Sequence, residues 1–234
     1  MTSKRICTLS HGDSGKGKTY FIGTICKEGK PFIVDTERGL LTIEDLEGQY
    51  DHTTVHNWTE FATACDYYFN HAEEKGYTHL VIDSVTRLQK ILIDQILKVP
   101  ESTTLSALSL KPKTLSIREW GEVNSTMNSV IDTICSRCPT SVHMTALSGE
   151  STDEVSGVTK VWPLLQGGFR FALPGYFDMV LYHDSTMSNG KVTYHIQTEG
   201  CNRNIAKSRL SHIKKLRTLE PNNYEVISNI LKEL

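Results

Sequence analysis

The stretch from Leu9 to Tyr20, LSHGDSGKGKTY, sets three glycines and two lysines between apolar runs at Ile6 to Leu9 and Phe21 to Ile25. Within it, Gly12-Asp13-Ser14-Gly15-Lys16-Gly17-Lys18-Thr19 satisfies G-x-x-x-x-G-K-[ST] between an expected strand and an expected helix. No other feature of the chain restricts its fold as much. A strand must deliver the loop, and a helix must leave it with its N-terminus facing whatever the loop encloses. Glycines allow successive backbone N–H groups to turn inward around phosphate oxygens, and the helix dipole adds to their positive potential. Lys18 is then expected to reach the β and γ oxygens of a triphosphate, and Thr19 to offer its hydroxyl to Mg2+. The residues from Gly12 to Thr19, with Tyr20 directly after them, form the expected nucleotide-binding loop. Lys16 has three open roles: contact with phosphate, contact with a neighbouring subunit, or plain solvation.

Apolar runs bounded by turn residues read as strands at 5–11, 31–36, 78–83, 140–146, 177–183 and 191–198. Helical periodicity falls at 18–28, 58–75, 86–98 and 118–136. In the last of these, Trp120, Val123, Met127, Val130, Ile131 and Ile134 share one face. Strands alternating with helices imply an α/β fold with a parallel sheet covered on both sides. Ser188-Asn189-Gly190 has hairpin chemistry, so the sheet is expected to end in antiparallel strands. Asn222 or Asn223 is expected to cap a final helix that buries Tyr224, Ile227, Ile230 and Leu231. Residues 100–116 and 148–176 read as long connections with few element signals, and connections of that length in a compact domain are commonly functional. The chain reads as one domain over 1–234.

A metal-bound triphosphate needs a carboxylate at the end of a buried strand beside the loop. HLVIDS supplies Asp83 directly after Leu80, Val81 and Ile82. Hydrolysis also needs a group to polarise water, and Asp35 and Glu37 in FIVDTERG are equal candidates, with the position after the strand SVHMTAL a further place to look. Cys135-Ser-Arg-Cys138 is a lone C-x-x-C near a helix end with only His143 close in sequence, too few ligands for zinc.

Composition narrows the setting. With 25 basic and 27 acidic residues, formal charge −2, any nucleic-acid contact must come from a local patch. Six cysteines without a framework of spacings suit a reducing cytoplasm. No apolar run approaches the ~18 residues of a membrane span, so no membrane role is expected, and the N-terminus lacks a signal-peptide core.

Three segments, GDSGKGKT, FIVDTERGL and LVIDSVTRL, resemble the RecA-like ATPase core in order and spacing. The later blocks REWGEVNSTMNSVI, HMTAL, PLLQGGFRFALPGYFDMVLY and AKSR look like the phage-encoded RecA-like proteins of the single-strand annealing recombinase group, over residues 5–210. The resemblance implies a RecA/KaiC-like core, a mostly parallel sheet flanked by helices with C-terminal antiparallel strands, that hydrolyses ATP with Mg2+ and is stimulated by DNA. It implies Glu37 as the catalytic base, alongside Lys18 and Asp83, with Thr19 and Asp83 at the metal. It also implies a homo-oligomer, ring or filament, with nucleotide at the subunit interface, where Lys207 and Arg209 of AKSR would reach the neighbour's γ-phosphate. Single-stranded DNA and a single-strand-binding protein are the implied partners. Within 148–176, Lys160, Arg170, Trp162, Phe169 and Phe171 suit single strands, the alternative being that the rings are core. Lys111, Lys113 and Arg118 would extend a basic track. Two readings compete: a P-loop phosphotransferase, and an ATP-dependent assembly or regulatory protein with no DNA role.

Overall fold

Strand β4 (His79–Asp83) is buried at all five positions, and so are β1 (Cys7–His11), β2 (Pro31–Asp35) and β5 (Ser141–Ala146) along their lengths. A strand covered on both faces has no reason to alternate apolar and polar residues, which is why these read as continuous apolar runs. The computed structural model describes residues 4–98, 114–210 and 216–233. In the described residues the main sheet runs β11-β9-β8-β1-β5-β4-β2-β3, with β3 at Asp51–Thr54, β8 at Met179–Ser188, β9 at Lys191–Gln197 and β11 at Leu219–Pro221. Pairing is parallel from β3 through β8. Strand β9 and the short β10 (Lys207–Ser208) are antiparallel to β8, and β11 is antiparallel to β9. The expected α/β architecture, mostly parallel with C-terminal antiparallel strands, is therefore present.

The strand period of two divides the core. Leu9, Val34, Leu80, Ile82, Val142 and Met144 face α2 (Trp58–His71), α3 (Val85–Ile96) and α4 (Ile117–Arg137). Ile33, Val81, Met179 and Leu181 face α1 (Lys18–Ile25) and α6 (Glu225–Lys232) on the other side. Truncating one such side chain, as in Leu80→Ala, costs about 2–5 kcal/mol through lost transfer energy and the cavity left behind. Helix α4 begins on a reciprocal cap: Ser116 accepts from the Glu119 N–H while the Glu119 carboxylate accepts from the Ser116 N–H.

The structure departs from the sequence-based expectation in several places. Strand β3, with the polar sequence DHTT, gives no apolar signal because it is the sheet's edge and only half-buried. Residues 148–176 are not a plain connection: β6 (Ser148–Thr152) and β7 (Thr159–Pro163) form an antiparallel hairpin, followed by the short α5 (Phe169–Ala172). Asn222 does not cap α6; its side-chain N–H2 donates to the Gly17 carbonyl at 2.9 Å, while Asn223 accepts from the Glu225 N–H at 3.0 Å. Lys111 and Lys113, and all of the 100–116 segment before Thr114, lie outside the described residues.

Candidate nucleotide site

The phosphate loop leaves the C-terminal end of β1 and enters α1 through Gly17, which occupies left-handed backbone at φ +81°. Only glycine suits this point, since a Cβ there would also lie 2.5 Å from the Asn222 amide nitrogen. The Lys18 ammonium folds over the loop and donates to the carbonyls of Gly12 at 2.7 Å and Asp13 at 2.8 Å. Burial lowers the Lys18 pKa, and Asp83, Glu37 and Asp13 pull the other way. Tyr20, two residues into the helix, is half exposed.

Asp83 stands at the end of β4, one strand removed from β1, with β5 between. Its Oδ2 accepts from the Thr19 hydroxyl at 3.3 Å, and its Oδ1 from the hydroxyl of Thr145 on β5. Burial pushes the Asp83 carboxyl up to about 6, against the Thr145 hydrogen bond, with Glu37 and Asp35 adding to the rise. Ser84, next in sequence, caps α3 by accepting from the Arg87 N–H, so Asp83 has no capping duty. The Ser84 hydroxyl donates to Glu37.

The geometry separates Asp35 from Glu37. Asp35 is buried, and its Oδ1 accepts backbone N–H groups from Glu37 at 3.0 Å and Arg38 at 2.7 Å, which ties it to shaping the turn. Glu37 is exposed, with its carboxylate directed at Ser84 beside Asp83.

The donor set fits a triphosphate with magnesium. A hydroxyl and a carboxylate share one position, hard oxygen donors that leave the remaining coordination to phosphate and water. Among the described residues no group of three or more His, Cys, Asp or Glu forms a self-contained metal site. Cys135 and Cys138 are buried, the former's carbonyl accepting from the Cys7 thiol.

Other expected residues lie elsewhere. Lys16 turns to β8, pairing with Asp184 at 2.8 Å and donating to the Ser185 hydroxyl at 3.1 Å. Arg209 pairs with Asp178 at 2.7 Å, and Lys207 sits opposite Val180, so both are at the end of β8 remote from the phosphate loop. Neither reaches the loop of its own chain. Phe169 is core, whereas Trp162 and Phe171 meet edge to face at 5.0 Å on the outside, with the Arg170 guanidinium 4.5 Å over Phe171. Lys160 and Arg118 are exposed.

Sequence reading misses Thr145, Asn222 and His11. The buried His11 ring contacts the Ser148 hydroxyl at 2.9 Å and the Ile205 carbonyl at 2.6 Å, joining the loop's own strand to the β6–β7 hairpin. Burial lowers its pKa to about 4. A lone His before a phosphate loop carries no motif, and only the fold brings Ser148 to it. A groove of about 1260 Å³ runs along β3 and α2 away from these groups, so chemistry rather than volume marks the site.

Among the described residues, no helix is long and apolar enough to cross a membrane. No curated protein matches the chain. Among solved structures, a prototypical ATPase from the type III secretion system of pathogenic bacteria is similar at 14% identity and TM-score 0.48, over 92% of this chain and 56% of that one. This chain thus spans little more than half that protein's length. A KaiC-like protein from the hyperthermophilic archaeon Pyrococcus horikoshii OT3 is similar at 14% identity and TM-score 0.43, over 82% of this chain and 77% of that one. The AAA domain family model matches residues 4–210, which takes in the phosphate loop, Glu37, Asp83 and the β6–β7 hairpin. The chain belongs to the AAA domain family and is built on a P-loop ATPase core.

Proposed function

We propose that this ATPase assembles as a homo-oligomer on single-stranded DNA and uses ATP to promote annealing or strand exchange. The observation that carries the reading is that exposed Lys160 and Phe171 and half-buried Trp162 line a groove of about 920 Å³, with the half-buried Arg170 stacked on Phe171, on the structure to which His11 ties the phosphate-loop strand. Cations that follow phosphates and rings that stack on bases are what a sequence-tolerant single-strand site requires.

In this reading Lys18 draws the β and γ oxygens inward, and Thr19 and Asp83 fix the metal's position. Bound magnesium supplies neutralisation of the charge on the β and γ oxygens. Glu37, held by Ser84, orients and deprotonates the attacking water from the open side of the site. Lys207 and Arg209 act on the neighbour's nucleotide, where an arginine in trans is worth about 10³–10⁵ in rate.

The test is ATP turnover with and without single-stranded DNA, run beside mass by light scattering. DNA is expected to raise both turnover and mass. Lys18→Ala should lose nucleotide binding, and Glu37→Gln should hold an ATP-bound oligomer. Turnover and mass that ignore DNA would overturn the DNA reading and leave a P-loop ATPase acting on another partner.

A further inference from the structure

Strand β8 pairs with β1 only as far as Tyr182, opposite His11, and then runs on from His183 to Ser188. Those residues carry the β8–β9 hairpin about 20 Å past the point where the phosphate loop begins. The hairpin therefore stands beside the loop as a wall. It stands on the flank of β1 opposite to β5 and β4, where Thr145 and Asp83 lie.

Cross-strand pairing places Ser185 opposite Tyr194 and Met187 opposite Val192, and side chains two apart on a strand share a face. That face is turned to the loop. Ser185 accepts from Lys16, and the Tyr194 ring would lie 3.2 Å from a Cβ built on Gly17. Yet Tyr194 is 40% exposed, Val192 41% and Met187 76%. An apolar strip thus leads directly away from the phosphate loop into solvent.

The polarity of a bound triphosphate follows from the chemistry already described. The γ end belongs with Lys18, Thr19 and Asp83, so the nucleoside end must leave toward the other flank. We propose that Tyr194 is the platform on which the nucleotide's base stacks, with Met187 and Val192 extending the apolar surface. An aromatic face with a thioether nearby suits a flat heteroaromatic ring and needs no hydrogen-bond code. Asn222 serves the neighbouring part of the site differently, because its amide holds the Gly17 carbonyl and so supports the phosphates rather than the base.

This inference rests on the P-loop nucleotide-binding reading, and the experiment separates the two. The full chain is titrated calorimetrically with ATP and, separately, with inorganic tripolyphosphate, both with magnesium. Tripolyphosphate engages the loop but has no base. For Tyr194→Ala the expected result is a loss of ATP affinity of about tenfold or more with tripolyphosphate affinity unchanged, which also certifies the fold. Tyr194→Phe should keep ATP affinity, and 2-aminopurine riboside triphosphate should be quenched by the wild type and not by Tyr194→Ala. Unchanged ATP affinity in Tyr194→Ala, or a parallel loss of both ligands, overturns the platform. A wild type that binds neither ligand overturns the nucleotide site itself and the platform with it.

Discussion

The two flanks of the phosphate loop are built on opposite plans. On one, Asp83 is 3% exposed, with Thr145 at 1% and Ser84 at 1%: Thr145 donates to Asp83, and the Ser84 N–H donates to the Thr36 hydroxyl. On the other, Tyr194 and Met187 face solvent, and the ties to the loop are the part-exposed Lys16 ammonium on Asp184 and Ser185 and the Asn222 amide. Charge that must be stabilised during reaction is best met by groups already oriented and dry, since they need no reorganisation at that moment. A surface that recognises a ring gains from being open until the ring arrives. In the proposed reading, the contrast separates where chemistry is done from where a ligand is held.

The sharpest way to break it is at the chemical flank. Glu37→Gln keeps the side chain's size and its hydrogen bond with Ser84 but removes the carboxylate that the proposed function makes the base. Turnover at saturating ATP is expected to fall by about 10²–10⁴, with nucleotide affinity retained. Single-turnover hydrolysis measures this directly. A fall below about tenfold would mean that the flank merely positions metal, and that another group handles the water.

Legibility in the sequence divides along the same line. Gly12 to Thr19 and the Asp83 strand are contiguous strings, because a loop that wraps phosphate and a strand that ends in a carboxylate are each made by neighbours in the chain. The parallel sheet is equally legible, since strands buried on both faces need apolar runs. Asp35 and Glu37 are indistinguishable as text, and it takes the turn, with Asp35 accepting backbone N–H groups, to separate them. Tyr194 and Asn222 approach Gly17 only after β9 and β11 have joined the sheet, so no spacing records them. The β6–β7 hairpin is hidden for a related reason: β6 is polar and part-exposed, β7 has only short apolar content, and the two strands pair with each other outside the main sheet.

Acid should act on the buried histidines and on Asp83 with opposite sign. His183, buried behind Gly12 and edge-on to Phe21, has its pKa lowered to about 3 by burial. In the unfolded chain it takes a proton near 6.5, so as pH falls from 6.5 toward 3 the unfolded state gains and stability drops, by up to about 1.4 kcal/mol per pH unit. His11 and His79, lowered to about 4, add to this loss, and so does His143. Asp83 does the reverse: raised to about 6 from 3.8, it is protonated first in the folded state, so stability rises as pH falls through that window. Urea midpoints from pH 7 to 4.5 test the signs. His183→Gln should flatten the acid loss and Asp83→Asn should steepen it; identical slopes for both variants would erase the distinction.

Asn222→Ala sharpens the comparison within the open flank. Removing the amide frees the Gly17 carbonyl, a loss of about 1 kcal/mol, or roughly fivefold in affinity. ATP and tripolyphosphate should weaken together, unlike the selective loss expected at Tyr194. If ATP alone weakens, Asn222 reads the nucleoside and the division of labour on this flank is wrong.

The smallest effect is expected at Lys16, and its smallness is the informative part. In a phosphate loop a second lysine invites a role at the ligand, yet its ammonium is engaged by Asp184 and Ser185, and the Asp184 carboxylate raises its pKa above the ordinary value. Half-exposed pairs of this kind contribute about 0–1 kcal/mol and weaken with salt. Lys16→Met is therefore expected to change ATP affinity by less than about threefold, and Asp184→Ala by a similar amount, since each loosens the same strut between loop and hairpin. The two variants part company if Lys16 swings to phosphate when nucleotide binds. Asp184→Ala would then release the lysine and tighten ATP, while Lys16→Met would cost tenfold or more. Measuring both affinities at low and high salt decides between a strut and a phosphate ligand, because only the ligand makes the paired variants move in opposite directions.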